Sequence, residues 1–335
     1  MNKKHLHIIL TAAAAALASA PDASGQTDAQ LSQYYAVPTF YNPAAAGSGA
    51  GDMMRLRGGA RLQWVGIDNA PMTFMLAGDM PFKFLNKRWG VGLVASQESA
   101  GLYKSLNIGA QIAFKLRKLG GEWSMGLQFG MYDQAFKGSE LYLPDDDDYH
   151  EGTDEAIPTQ DIHGTAFDIA AGVRYEHKWF HAGIGCTHLT SPTISMNAGD
   201  DAGGSETSGE RRYEFKAGRT LYFTAGSNIP IKNTLFEIMP SVLVKSDFTF
   251  TTGQLDVRGR WKKFLSLGVG YRWNDAFVVS LAAEIKNFYL GYSYDYATSA
   301  IHKASSGSHE LFLGYSLKLN LSEKNRNRHK SIRIM

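Results

Sequence analysis

Leu106, Ile108, Ala110, Ile112, Phe114 and Leu116 alternate with Asn107, Gly109, Gln111, Ala113 and Lys115. Successive side chains of an extended strand point to opposite faces, so this stretch has one oily face and one polar or small face. The same polarity returns in Trp123, Met125, Leu127, Phe129 and Met131 against Ser124, Gly126, Gln128 and Gly130. It returns again in Phe167, Ile169, Ala171, Val173 and Tyr175 against Asp168, Gly172, Arg174 and Glu176, and in Leu311 through Leu319 against Gly314, Ser316, Lys318 and Asn320. A period of two over such lengths is strand, not helix. The segments approach the roughly 9–11 residues of a tilted membrane strand rather than the roughly 5–6 usual in soluble sheets. Trp64, Trp89, Trp123, Trp179, Trp261, Trp273 and Tyr296 sit at segment ends, where membrane barrels carry aromatic girdles.

Soluble sandwiches also alternate, so a secreted β-sandwich or adhesin is the competing architecture. Loop parity favours the barrel. Strands read near 53–65, 72–82, 88–97, 104–116, 122–133, 164–176, 178–189, 212–226, 234–246, 249–261, 264–273, 275–285, 287–296 and 308–320, about fourteen in all. The three longest connections, 134–163, 190–211 and 297–307, are the fifth, seventh and thirteenth, so they share one side. Even-numbered connections are short, several of them basic, as at Arg117-Lys118, His177-Lys178, Lys262-Lys263 and Lys286-Asn287. Long external loops with short periplasmic turns are the layout of bacterial barrels. The expectation is an all-β transmembrane antiparallel β-barrel over 53–321. Its parity depends on splitting 234–261 into two strands.

The first residues carry Lys3 and Lys4, an apolar run from Leu6 to Leu17, and then small residues, the pattern of a secretory signal peptide. Ala23-Ser24-Gly25 suits cleavage with Gln26 as the new N-terminus, giving a signal peptide at 1–25. Cys186 is the sole cysteine and is far from the cut, which excludes an internal disulfide and a lipoprotein anchor there. No later window offers the roughly 18 apolar residues of a membrane helix. The net charge of +2 gives no argument for nucleic acid.

Little in the sequence points to chemistry. Asp145, Asp146, Asp147 and Asp148, with Glu151, Asp154, Glu155 and Asp161, form an acidic loop that could hold Ca²⁺ but fits no EF-hand spacing, and a solvated surface loop is the simpler reading. His150, His163, His177, His181, His188, His302 and His309 are scattered outside any zinc motif. No nucleophile elbow or phosphate loop occurs. Asp168 with Glu176, or Asp79 with Asp295, could act as acid and base, but lumen charges paired with Arg55, Arg57, Arg61, Arg174, Arg258 or Arg272 explain them as well. No cofactor, no metal and no enzymatic activity are expected.

Asp28-Ala29-Gln30-Leu31-Ser32-Gln33-Tyr34-Tyr35, continuing to Tyr41-Asn42-Pro43-Ala44 and Gly47, resembles the N-terminal signature of the PorP/SprF family of Bacteroidetes. Gln63-Trp64-Val65-Gly66-Ile67-Asp68-Asn69-Ala70-Pro71 is similar to that family's first hairpin. Met125 to Gly130, Pro240 to Lys245, Tyr292 to Tyr296 and His309-Glu310-Leu311 follow in the family's order. The resemblance implies an outer-membrane component of type IX secretion that recognises the C-terminal domain of a secreted surface protein and associates with a periplasmic, peptidoglycan-linked lipoprotein. It implies no catalysis. A diffusion porin for small solutes is the alternative from another class, and a barrel hydrolase a weaker third.

The segment 26–52 reads as non-strand. Its Tyr34, Tyr35, Phe40 and Tyr41 are too aromatic for a mobile tail, and Asn42-Pro43 breaks any helix. It would plug the lumen or lie on the periplasmic rim, sealing the barrel or touching a partner. Tyr34, Tyr35, Tyr41, Asn42, Trp64, Asp68 and Asp145 to Asp148 are the candidate partner-binding residues. The basic tail 322–335, with Lys324, Arg326, Arg328, Lys330 and Arg333, would emerge in the periplasm, either solvated or docked to an acidic protein.

Overall fold

The computed structural model describes residues 28–49, 51–141, 158, 160–198, 213–319 and 321. Residues 1–25, Asp145 to Asp148 and 322–335 lie outside the described residues. From the N-terminus the strands are β1 (Met53–Leu62), β2 (Met72–Phe84), β3 (Lys87–Ala100), β4 (Tyr103–Lys118), β5 (Gly121–Lys137) and β6 (Asp161–Glu176). There follow β7 (Phe180–Thr187), β8 (Thr193–Ala198), β9 (Tyr213–Lys216), β10 (Thr220–Ser227), β11 (Ile229–Pro230) and β12 (Phe236–Ser246). The remainder are β13 (Thr251–Trp261), β14 (Leu265–Arg272), β15 (Ala276–Ile285), β16 (Phe288–Ala297) and β17 (Ser308–Lys318).

All pairings are antiparallel. Fourteen of these strands form a closed barrel, with β7 joined to β10, β10 to β12, and β17 back to β1 over ten residue pairs from Met53↔Lys318 to Leu62↔His309. Closure leaves the wall no free edge strand, the condition for spanning lipid. Pro240, which cannot donate to a ladder, lies where β12 changes partner between Ser241 (paired with β10) and Ile238 (paired with β11).

The outward face carries Leu56, Phe74, Leu76, Leu93, Ile108, Phe129, Phe167, Leu267, Val269, Leu281 and Leu313, all exposed. An apolar surface of this extent would aggregate in water and matches a lipid-facing band. All six tryptophans lie at strand ends: Trp89, Trp123, Trp179 and Trp261 at the short-turn end, Trp64 and Trp273 at the long-loop end.

The expected strands appear, several with shifted ends, as where β5 runs on to Lys137, and two differences bear on the mouth. The first strand ends at Leu62 rather than 65, because Gln63 to Ile67 turn over the barrel mouth. The expected strand 212–226 is two elements. Tyr213–Lys216 pairs with β8 in a hairpin that is not part of the barrel wall, and the wall resumes only at Thr220. Ile194, Met196 and Ala217 of this hairpin region pack with Tyr132 of β5 and Ile162 of β6. The split of 234–261 holds, with a turn at Asp247 to Phe250.

Candidate functional site

The lumen is filled by the chain's own N-terminal segment. Tyr34–Ala36 and Pro43–Ala45 are single 3₁₀ turns and Pro38–Tyr41 a short helical turn. Pro38 and Pro43 each begin a turn, where the missing N–H would be unpaired anyway and the fixed φ suits helix. Asn42 between them is extended. Its side-chain oxygen caps the second turn at Ala44 N (2.9 Å), and its amide nitrogen donates to the wall carbonyls of Val173 (3.0 Å) and Ile184 (3.2 Å). The plug passes so near the wall that a methyl at Gly126 would overlap the backbone of Pro43 and Ala44, and one at Gly185 the carbonyl of Tyr41. These lumen-facing glycines are the small members of the alternating pattern.

Toward the long-loop end the plug is held by an ionic clasp. Arg61 lies 2.8 Å from Asp295 and 3.3 Å from Glu310, and Arg272 lies 3.1 Å from Asp295. All four side chains are about 2 % exposed or less. Arg272 also lies 2.9 Å from the partly exposed Asp275, so both buried cations are paired, which buried charges require. Ser32 sits at the centre. Its hydroxyl donates to Asp295 and accepts from Arg61 (2.9 Å) and Arg272 (2.6 Å), while the Ser32 and Gln33 amides donate to the Glu310 carboxylate at 2.8 and 2.7 Å. Gln254 donates to the Ser32 carbonyl (2.9 Å).

A second group holds Asp28. Its carboxylate accepts from Tyr222 (2.6 Å) and Thr187 (3.1 Å) and contacts His188 Nε2 at 3.1 Å; Lys245 donates to its carbonyl. The other ring nitrogen of His188 lies 3.1 Å from Asp168. Burial alone would lower the His188 pKa, but the two flanking carboxylates, Asp28 foremost, outweigh it and raise it to about 10. Burial likewise would raise Asp28, yet His188 and Lys245 hold it below the usual carboxylate range. His188 therefore stabilises fully below its ordinary value of 6.5 and ceases to as pH rises through about 10. The Asp28 contribution is present above 3.8 and lost at lower pH. Amide exchange at residues 28–33 is expected to quicken from pH 7 to 10, after correction for intrinsic rates, and His188→Gln should abolish that change. An equal rise in the variant would remove His188 as the cause.

The first hairpin folds over the long-loop mouth. Val65 N donates to Gly307 O (2.9 Å), Ser306 N to Val65 O (2.7 Å), Gly101 N to Asn69 O (3.0 Å) and Trp64 N to Ser308 Oγ (3.1 Å). Between this loop and β3, β4 and β5 opens a cleft of about 600 Å³, lined in part by Ile67, Pro71, Phe74, Tyr103 and Lys104. Asp68 is exposed beside it, and Trp64 is half-buried.

The candidate residues thus do not converge. Tyr34, Tyr41 and Asn42 are buried in the lumen, and Tyr35 is half-buried there against Arg258. Trp64 and Asp68 belong to the first hairpin at the long-loop end, and Asp145 to Asp148 fall outside the described residues. Of the lumen arginines, Arg55 pairs with Asp79, Arg174 with Glu176, and Arg61 and Arg272 with Asp295. Asp168 turns instead to His188, while Arg57 and Arg258 stack on Tyr289 and Tyr35. His188, Ser32 and Glu310 emerge as anchors that no spacing singled out.

Comparison with solved structures returns outer-membrane barrels of low identity. The Ralstonia pickettii toluene transporter TbuX aligns at a TM-score of 0.49 with 10 % identity, over 84 % of this chain and 93 % of that one. A Pseudomonas aeruginosa FadL homologue gives 0.48 and 10 %, over 84 % and 94 %. The translocator domain of the Neisseria meningitidis autotransporter NalP gives 0.40 and 10 %, over 81 % and 90 %. No curated protein matches the chain. The family model "Type IX secretion system membrane protein PorP/SprF" matches residues 23–315, which takes in the plug, the clasp and almost the whole wall. The chain is therefore an outer-membrane β-barrel belonging to the PorP/SprF family of type IX secretion membrane proteins.

Proposed function

We propose that this protein binds the C-terminal domain of a secreted protein at its external mouth and helps to secrete it or anchor it at the cell surface. The observation that carries this reading, beside family membership, is the plug: residues 28–49 fill the lumen and are tied to opposite walls through Asn42 and Ser32, an arrangement suited to holding a closed platform. Because Tyr34, Tyr41 and Asn42 are committed to internal contacts, the partner surface is the long-loop end, with Trp64, Asp68 and the adjacent cleft, joined by Asp145 to Asp148. A domain gripped by several such contacts needs no catalytic residue. The short-turn end and the tail 322–335 face the periplasm in this reading and contact a peptidoglycan-linked lipoprotein, and residues 1–25 are the export signal.

The test is affinity capture of tagged protein from the cell envelope. A secreted surface protein is expected in the wild-type eluate and reduced by about tenfold with Trp64→Ala/Asp68→Lys, as loss of a hot-spot residue implies. An eluate containing no secreted protein sinks the reading.

A further inference from the structure

A second feature of the lumen has no part in that reading. Between the plug and the wall of β1, β2 and β12 to β16 lies a cavity of about 150 Å³, bordered by Arg55, Arg57, Arg258, Arg260, Asp79 and Glu284. Arg260, Glu284 and Tyr289 stand within a few residues of the turns after β13 and β15, so the cavity lies toward the periplasmic end.

Two of the arginines are neutralised. Arg55 is 2.7 Å from Asp79, and Arg260 pairs with Glu237 and, at 3.8 Å, with Glu284. Among the described residues, Arg57 and Arg258 have no carboxylate partner. The Arg258 guanidinium carbon lies 3.4 Å from the centroid of the Tyr35 ring, and its Nε is shut off from solvent without an acceptor. The Arg57 guanidinium lies 4.8 Å from the centroid of Tyr289, with one terminal nitrogen pinned to the wall at Leu56 O (3.1 Å) and Ser316 Oγ (3.2 Å). Each guanidinium carries five donors in a planar fork. The rings hold the two planes in place and leave most of their N–H groups unused. The carboxylates at ion-pair distance, Asp79, Glu237 and Glu284, are all taken by Arg55 and Arg260, so Arg57 and Arg258 are left with donors for a counter-ion.

We propose that this cavity binds an oxyanion group, a carboxylate or a phosphate, between Arg57 and Arg258. Such a group matches the guanidinium fork with two parallel charge-assisted hydrogen bonds, which chloride cannot do. The group is either a free small anion or the acidic side chain of a peptide entering from the periplasm. Because Arg258 rests on Tyr35, occupancy also tightens the plug against this wall.

Calorimetric titration of the full-length protein in detergent tests this, with inorganic phosphate and with an acetylated tri-aspartate peptide as the two probes and chloride at equal ionic strength as reference. Saturable binding of at least one probe is expected, weakened about ten- to hundredfold by Arg57→Gln or Arg258→Gln, as loss of a charge-assisted hydrogen-bonding partner implies. Arg258→Lys, which keeps the charge but not the fork, should weaken binding in the same direction while preserving the fold. Lys263→Gln on the periplasmic turn should leave it unchanged. Phosphate binding without peptide binding identifies a free anion, and the reverse identifies an acidic peptide. A response to both probes no greater than to chloride, or undiminished binding in Arg258→Lys and Arg57→Gln, overturns the proposal.

Discussion

Replacing Asp295 by Asn is expected to destabilise the folded barrel by about 3–5 kcal/mol, the range found when one partner of a buried ion pair is removed. Asp295 is the one carboxylate that touches both Arg61 and Arg272, and it also accepts the Ser32 hydroxyl. The amide removes the negative charge and aims N–H donors at guanidinium donors. Arg61 then keeps only the longer Glu310 contact and Arg272 only Asp275, a partly exposed carboxylate, while both guanidiniums stay about 2 % exposed. Arg117→Gln is the contrasting change. That side chain is 78 % exposed and lies 3.8 Å from Glu122, so its loss should fall within about 0.5 kcal/mol. Urea unfolding in micelles, followed by tryptophan fluorescence, separates the two. Equal midpoints would show that the clasp adds nothing to stability.

The wall was the legible part of the sequence, because a strand with lipid on one side must alternate. Asp247 supplies the physical reason for the least certain boundary. It is a turn-forming residue whose carboxylate accepts from the amides of Thr249 and Phe250, breaking what would otherwise be one long run. Tyr213 to Lys216 misled for the converse reason. It alternates as a wall strand does, and only its pairing with β8, set by distant residues, takes it out of the barrel wall. The plug was half legible. Its aromatic residues announced order and Asn42-Pro43 announced broken helices, but the choice between lumen and rim rested on glycines more than 80 residues away. Gly126, Gly172 and Gly185 read as small members of a polar face until the plug lay against them. The charge pairs were legible in kind and not in partner. Arg61 and Asp295 are separated by 234 positions, and nothing local distinguishes them from Arg57 and Arg258, which found tyrosines.

Gly126→Val should open the lumen. The added Cβ would overlap the main chain of Pro43 and Ala44, and main chain held by a proline turn and the Asn42 cap cannot step aside as a side-chain tip would. Overpacking of an ordinary core costs about 1–3 kcal/mol. Here the closed ladder of β5 with β4 and β6 is the stiffer side, so the plug yields first. Gly259→Val is the matched control, since a Cβ there meets nothing within 4 Å. In planar bilayers the wild type and Gly259→Val should conduct near baseline. Gly126→Val should show flickering steps, and deletion of residues 28–49 a steady conductance. The clasp at Ser32 is far from Pro43 along the plug, so Gly126→Val loosens one end while the other stays anchored, which is why flicker and not a constant pore is expected. A wild type that conducts as well as the deletion would mean that the plug seals nothing. The chain's lumen would then be a pore, and solute diffusion would displace partner anchoring as the better reading.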